Sequence, residues 1–235
     1  AHAEKNGTFT NTNRQVQMGR KVINPPGEAR EDLEIINDLG KALGLDWNYN
    51  HASEVFNEMS KVMPSLNNIS WERVEKEDSV TYPCDDKNLP GNEIVFSQNF
   101  PTSSGLAKIV PTDLISPHEL PDQNFPFVLT TGRLLEHWHT GAMTRRSNTL
   151  DNIEPEAIVN MNRLDMKNLK LEPGNKVQVK TRRGSIELSV RQDTELPKGM
   201  IFIPFCFSEA AANKLTNPQL DPFGKIPEFK YCAAN

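Results

Sequence analysis

The sequence predicts an α/β amino-terminal part followed by a mainly-β domain that closes into a small barrel. Two observations lead there. Leu33, Ile36, Leu39 and Leu43 recur at the spacing of one helix face and stop at Gly44. From Phe125 onward the apolar period changes to two, in Val177 and Val179 and again in Ile186, Leu188 and Val190, on either side of the turn Arg182-Arg183-Gly184.

The elements follow in order. A polar stretch rich in Gly, Thr and Asn, residues 6–14, is followed by Pro25-Pro26-Gly27, which punctuates the chain before the first helix. A second helix is expected from Ser53, a suitable N-cap, with Val55, Phe56, Met59, Val62 and Met63 on one face and Pro64 as its stop. Both apolar stripes read as core. Residues 78–124 hold most of the turn residues, among them Asp85-Asp86 and Pro90-Gly91, and read as a connector. Beyond it, 157–161 is expected as a strand, 163–169 as a short helix before Glu172-Pro173-Gly174, and 200–205 as a further apolar strand. The expected divisions are therefore 1–77, 78–124 and 125–235, with the strands of the last closing on themselves to bury one face.

With 235 residues, 37% hydrophobic and 24% charged, the chain suits one or two soluble domains with a real core. A net charge of −5 is the wrong sign for a nucleic-acid backbone or an anionic membrane surface, so any phosphate must be met locally. There is no apolar run long enough for a membrane span, and Ala-His-Ala-Glu-Lys at the start lacks the apolar core of a signal peptide. A cytoplasmic protein is expected, and the absent initiator Met suggests either processing or a fragment of something longer, of which a fragment is the expectation. Cys84, Cys206 and Cys232 are odd in number and widely spaced, with no CxxC pair. Neither a disulfide framework nor a zinc or iron-sulfur site can be built from them alone, and inert thiols are expected.

The chemistry gathers after the strand-like run Phe127, Val128, Leu129. It leads into Thr130-Thr131-Gly132-Arg133, where glycine lets backbone N–H groups approach an anion, the hydroxyls add donors, and Arg offers a planar fork for phosphate. His137 and His139 flank Trp138, and such an i, i+2 pair shares a face only in an extended chain. A zinc site needs a third protein ligand, and the HExxH spacing is absent, so no metal ligand is assigned. His118, in a Pro-flanked loop, reads as surface. The residues alone leave a second reading open, in which Arg133, Glu136 and the histidines form a satisfied polar network capping the barrel, with Trp138 packed against it.

The run TGRLLEHWHTGAMTRR resembles the dinucleotide-binding segment of the molybdopterin oxidoreductases, which include formate dehydrogenases and the periplasmic and assimilatory nitrate reductases. The likeness extends through NRLDMKNLKLEPGNKVQVKTRRGSIELSV, similar to that family's final β-domain, and FIPFCFSEAAANKLTNPQLDPFGKIPEFKYC. It implies that 125–235 is a double-psi β-barrel, a molybdopterin dinucleotide-binding domain closing over two molybdopterin guanine dinucleotides. By position, Thr131, Gly132, Arg133, Leu134, Leu135, Glu136, His137, Trp138, His139 and Thr140 would line the pyrophosphate and pterin of one dinucleotide. They would be joined by Phe205 as a shield from water, Asn213 as an amide for a polar ring edge, and Lys230 as a point charge. Arg145 and Arg146 are candidates to support the segment or meet a neighbouring part.

The stretch AEKNGTFTNTNRQVQMGRKVINPPGEAREDLEIINDLGKALG resembles the part that precedes the terminal domain in formate dehydrogenase alpha subunits, so 1–77 is expected to be a partial α/β segment of the preceding cofactor-binding domain. The Gly-Thr-Phe-Thr-Asn-Thr run, SWERVEKED, YPC and DPFGKIPEFKYC resemble formate dehydrogenase more than nitrate reductase. Where the family has paired arginines, this chain has Arg14-Gln15. For the whole enzyme the resemblance implies oxidation of formate to carbon dioxide at a molybdenum, tungsten in some members, carried by two molybdopterin guanine dinucleotides and a protein cysteine or selenocysteine. Iron-sulfur clusters are implied only outside these residues, and the partners are the remainder of the catalytic subunit and electron-transfer subunits. No catalytic residue is assigned in this chain. The rival readings are a nitrate reductase large subunit and a non-enzymatic double-psi barrel that acts as a binding module. The cofactor reading expects Arg133, His137, Asn213 and Lys230 to converge on one concave face of the barrel.

Overall fold

The computed structural model describes residues 2–235, which divide into two compact units, one reaching to Val110 and the other Pro111–Asn235. In the first unit, β1 (Gly7–Thr10) and β2 (Gln15–Gly19) form an antiparallel hairpin, and β3 (Ser79–Thr81) joins the far side of β2 with Val16 opposite Val80. The polar opening thus contains a strand, whose Thr and Phe residues suit a pleated surface. β3 lies within the stretch expected to connect. Arg14 closes the hairpin at φ 62°, and its guanidinium donates to the carbonyls of Tyr82 (2.6 Å), Asn92 (3.2 Å) and Glu93 (2.6 Å). The residue at the departure from the paired-arginine pattern therefore pins the loop after β3.

Three helices complete this unit: α1 (Asp32–Ala42), α2 (Ala52–Val62) and α3 (Trp71–Glu77). α2 starts one residue ahead of the expected cap, because the His51 ring accepts from the Ser53 N–H at 3.2 Å. The buried core joins Val16 and Val80 to Phe56, Leu66, Ile69, Trp71, Val74 and Cys84. The expected stripe of α1 is not part of it. Ile36, Leu39 and Leu43 are 51%, 59% and 71% exposed, while Asn37 and Gly40 face inward. Asn37 donates to the Tyr49 carbonyl, and a Cβ on Gly40 would lie 2.4 Å from the Trp47 ring. Three short strands offer too little apolar face to cover every helix of a small unit. α2 likewise buries Phe56 but leaves Val62 exposed.

In the second unit, β4 (Phe127–Gly132), β5 (Ile158–Asn162), β6 (Lys176–Lys180), β7 (Ser185–Asp193), β8 (Met200–Pro204) and β9 (Cys232–Ala234) form one sheet in the order β6-β7-β5-β8-β4-β9. β4 runs parallel to β8 and β5 to β7, and the other pairs are antiparallel. The two edge strands meet where Lys180 and Asn235 exchange backbone hydrogen bonds of 2.8 and 2.9 Å, so the sheet curls round on itself. The β6–β7 hairpin has its expected turn, with Lys180 opposite Ser185, and Ile186, Leu188 and Val190 point inward. They pack with Leu129, Val159, Met161, Ile201, Ile203 and Phe207.

Two short helices sit beside the sheet. α4 (Asn148–Ile153) precedes β5, and α5 (Arg163–Asn168) is capped by the Asn162 side chain, which accepts from the Leu164 N–H at 2.8 Å. The carboxy-terminal strand is held by Glu119, whose carboxylate takes the Ala233 N–H at 2.7 Å and the Arg183 guanidinium. Among the described residues no helix is long and apolar enough to cross a membrane. All three cysteines are free and buried.

Candidate functional site

β4 delivers the candidate segment to one end of the curled sheet. Its last residues pair with β8, Thr131 opposite Ile203 and Gly132 opposite Pro204, so the chains leaving both strands emerge side by side. The Gly132 carbonyl accepts from the Phe205 N–H at 3.1 Å. A Cβ on Gly132 would stand 2.5 Å from the Phe202 ring, so any side chain there would have to push that ring aside. Thr131 is buried, and its hydroxyl donates to the Phe229 carbonyl at 2.9 Å. That bond engages the hydroxyl internally and brings the residue before Lys230 to the same end of β4.

Beyond Gly132 the chain bends away from the sheet. Leu134 packs on the core and Glu136 is half-buried, whereas Arg133, Leu135, Trp138, His139 and Thr140 are exposed. His137 is wholly buried. Its Nε2 lies 2.8 Å from the Glu154 carbonyl, which can only accept, so Nε2 carries a hydrogen; Nδ1 lies 3.4 Å from the Thr144 hydroxyl. The expectation of four residues on one open face therefore fails for His137, whose polar ring is satisfied inside the fold.

The histidine pair does not share a face. The His137 ring meets Phe207 edge-on at 5.7 Å, and the His139 ring meets Phe205 at 5.3 Å. His139 stands at φ 51°, a turn in the left-handed region that separates it from its neighbour. Asn213 comes from a different stretch of chain. It belongs to the 3-10 turn Ala212–Lys214, placed by the β6–β7 turn through the Arg183 Nε, which donates to the Leu215 carbonyl at 3.0 Å. Its exposed side chain makes no hydrogen bond among the described residues.

Two cations mark the outer surface. Arg133 and Lys230 are exposed, and neither makes an ion pair or hydrogen bond among the described residues. Around the same segment Leu135, Trp138 and Met143 are 96%, 65% and 67% exposed, an uncovered apolar surface on a bend that also carries free positive charge. Phe205 and His139 add an aromatic shelf. This donor set fits a ligand with both anionic and planar ring parts, as a pterin dinucleotide has. Sequence reasoning missed the engagement of Arg145 by Glu209 and Asp151, because nothing local marks acidic partners as distant as Glu209. Arg146 is exposed, with no side-chain partner among the described residues.

The molydopterin dinucleotide binding domain matches residues 127–233, and molybdopterin oxidoreductase matches residues 1–42. The chain belongs to the molybdopterin oxidoreductase family. It is similar to the F420-dependent formate dehydrogenase subunit alpha of Methanocaldococcus jannaschii, 46% identical over 98% of this chain and 34% of the relative. The F420-dependent formate dehydrogenase 1 subunit alpha of Methanococcus maripaludis is 40% identical over 99% of this chain and 35% of its own length. The assimilatory nitrate reductase catalytic subunit of Bacillus subtilis is 31% identical over 99% and 34%. The chain thus spans about a third of the length of these relatives. In fold it is similar to acetylene hydratase from Pelobacter acetylenicus, with a TM-score of 0.74 at 18% identity over 99% of this chain and 36% of that one, a likeness that speaks for the fold alone.

Proposed function

We propose that the chain is the cofactor-holding carboxy-terminal portion of a molybdenum formate dehydrogenase, whose residues 125–235 form a double-psi β-barrel that holds a molybdopterin guanine dinucleotide. The observation that carries this reading is the gathering at one end of β4: Gly132 and His139 both touch Phe205, and Thr131 holds Phe229. Beside them Arg133 and Lys230 have no partner of their own. In this reading Arg133 forks onto phosphate oxygens, Lys230 adds a point charge, and Phe205 with Trp138 shields the ring system from water. Thr131 and His137 act from behind, holding the shape of the bend. Asn213 reaches the ligand from a separate stretch.

Formate is favoured as substrate of the whole enzyme because relatives at 46% and 40% identity are formate dehydrogenase alpha subunits, against 31% for a nitrate reductase. When bound, the molybdenum carried by two such dinucleotides supplies the two-electron redox chemistry. This chain's part is to bind, orient and exclude water. The metal's protein ligand, the iron-sulfur clusters and the electron-transfer subunits belong to the remainder of the enzyme.

The test uses the complete enzyme with Arg133→Ala and Lys230→Ala. Molybdenum and pterin are measured per polypeptide, together with turnover of formate and of nitrate, using F420 and a viologen as electron carriers. Loss of one charge-assisted contact weakens retention on the order of tenfold or more, and formate turnover falls with it. Unchanged metal and pterin content in both variants overturns the site, and turnover of nitrate without formate overturns the substrate.

A further inference from the structure

Several of the contacts that shape the candidate segment meet at one side chain outside it. Arg145 lies in the 3-10 turn Thr144–Arg146, and its guanidinium sits 4.7 Å from the centre of the Phe207 ring. Nε is 3.0 Å from Asp151 Oδ1, Nη1 is 2.7 Å from each Glu209 carboxylate oxygen, and Nη2 is 3.3 Å from the Pro155 carbonyl. These partners come from three stretches: α4, the run into β5, and the loop leaving β8. The last of these also carries Phe205. Gly141 closes the gap, because a Cβ there would stand 2.7 Å from the Cys206 carbonyl and 2.9 Å from Arg145 Cγ.

The geometry couples an inner pair to an outer one. Phe207 is fully buried and takes both the edge of His137 and the guanidinium of Arg145. Two residues earlier Phe205 meets His139 at the surface. Whatever sets the depth of Phe207 against the bend therefore sets where Phe205 and His139 stand. Only arginine can do this from position 145, since a planar fork bonds two carboxylates and a carbonyl while its flat face lies on a ring. Burial works against ionising Glu209, and its backbone N–H together with Arg145 outweighs that, holding its carboxyl below the usual carboxylate range.

We propose that Arg145 is a positioning residue: by clamping the bend and α4 to Phe207 and Glu209, it sets the pose in which Phe205 and His139 meet the cofactor. This rests on the cofactor reading of the preceding section. It assigns Arg145 no contact with the cofactor itself.

The experiment uses the complete enzyme carrying Arg145→Gln, Arg145→Lys or Glu209→Gln, beside Arg133→Ala. Three quantities are read: molybdenum per polypeptide, the line shape of the Mo(V) paramagnetic resonance signal, and amide exchange over residues 133–143 and 205–209. Arg145→Gln is expected to lower metal retention severalfold, alter the line shape of what remains, and speed exchange in both stretches together. Arg145→Lys keeps the charge without the fork and should rescue only partly. Glu209→Gln shifts the same readouts less, and it decides the matter if Arg145→Gln does not fold. An unaltered line shape and metal content in the variants that fold overturns the positioning role, even if melting temperature falls. Loss of metal in Arg133→Ala alongside an unaltered Arg145→Gln overturns this inference alone; unchanged metal in Arg133→Ala and Lys230→Ala overturns the cofactor reading on which it stands.

Discussion

The ring of His137 meets the ring of Phe207 edge-on, 5.7 Å between centroids and 83° between planes, with neither side chain exposed. This pair joins the bend after β4 to the loop after β8 from within. Phe207→Ala should cost about 3–5 kcal/mol of stability, the range for emptying a buried aromatic site. His137→Ala empties a wholly buried site and leaves the half-buried Glu154 carbonyl without its donor, a loss of about 1 kcal/mol or more from the hydrogen bond alone. Hydrogen-exchange protection of β8 amides measures both. Native-like protection in either variant contradicts the buried pair.

Acid should loosen the closure of the sheet through Glu119. The Arg183 guanidinium holds its carboxyl below the usual carboxylate range, against burial and with help from the Ala233 N–H and Arg182. A folded-state pKa below the unfolded one contributes stability that is present above the unfolded value, near pH 4, and is lost as pH falls through the folded value. Glu119→Gln should therefore melt lower than the parent at pH 7 and approach it by pH 3. Parallel curves of melting temperature against pH would count against this account.

The thiols of the second unit should be silent. Burial pushes Cys206 up to about 11, and burial likewise raises Cys232. Both stay neutral at pH 8, and a raised folded-state pKa stabilises the fold below the unfolded value, with that contribution fading as pH climbs past about 8.5 toward the folded value. Maleimide labelling followed by mass spectrometry should show slow modification of Cys206 and Cys232 in the native chain and fast modification in urea. Rapid native labelling at pH 8 means that the buried environment is wrong.

Gly141 and Gly174 separate strain from collision. Both have positive φ, 74° and 88°, but a Cβ at Gly174 meets nothing within 4 Å while one at Gly141 strikes the Cys206 carbonyl. Gly174→Ala should cost about 1–2 kcal/mol from the left-handed backbone alone. Gly141→Ala adds a clash that needs the bend to move, and its melting temperature should fall further. Equal losses would place the bend away from the β8 loop.

Much of this architecture is legible locally. The β6–β7 hairpin declares itself by alternation and by Arg182-Arg183-Gly184, and the helix over Asp32–Ala42 by its apolar spacing. α1's spacing shows that a helix forms but not that it is covered, since coverage depends on what the rest of the unit can offer. α4, β9 and the opening strands are short and polar or featureless, and they take their conformation from neighbours far along the chain.

In the candidate site, the amino-acid sequence by itself determined the residue types available for chemistry, a strand ending in Thr131-Gly132-Arg133 and a pair of histidines around Trp138, and carried the resemblance from which a shared ligand is proposed. Tertiary structure alone decided which of these face outward. His137 and His139 are two residues apart and equivalent to any local rule, yet one lies buried against Phe207 and the other is exposed beside Phe205. Arg133 and Arg145 are both arginines in one run, yet Arg145 is held by Glu209, 64 positions away, while Arg133 has no partner among the described residues. Burial and ion pairing depend on the parallel pairing of β4 with β8, a contact between distant parts of the chain whose register no short stretch encodes.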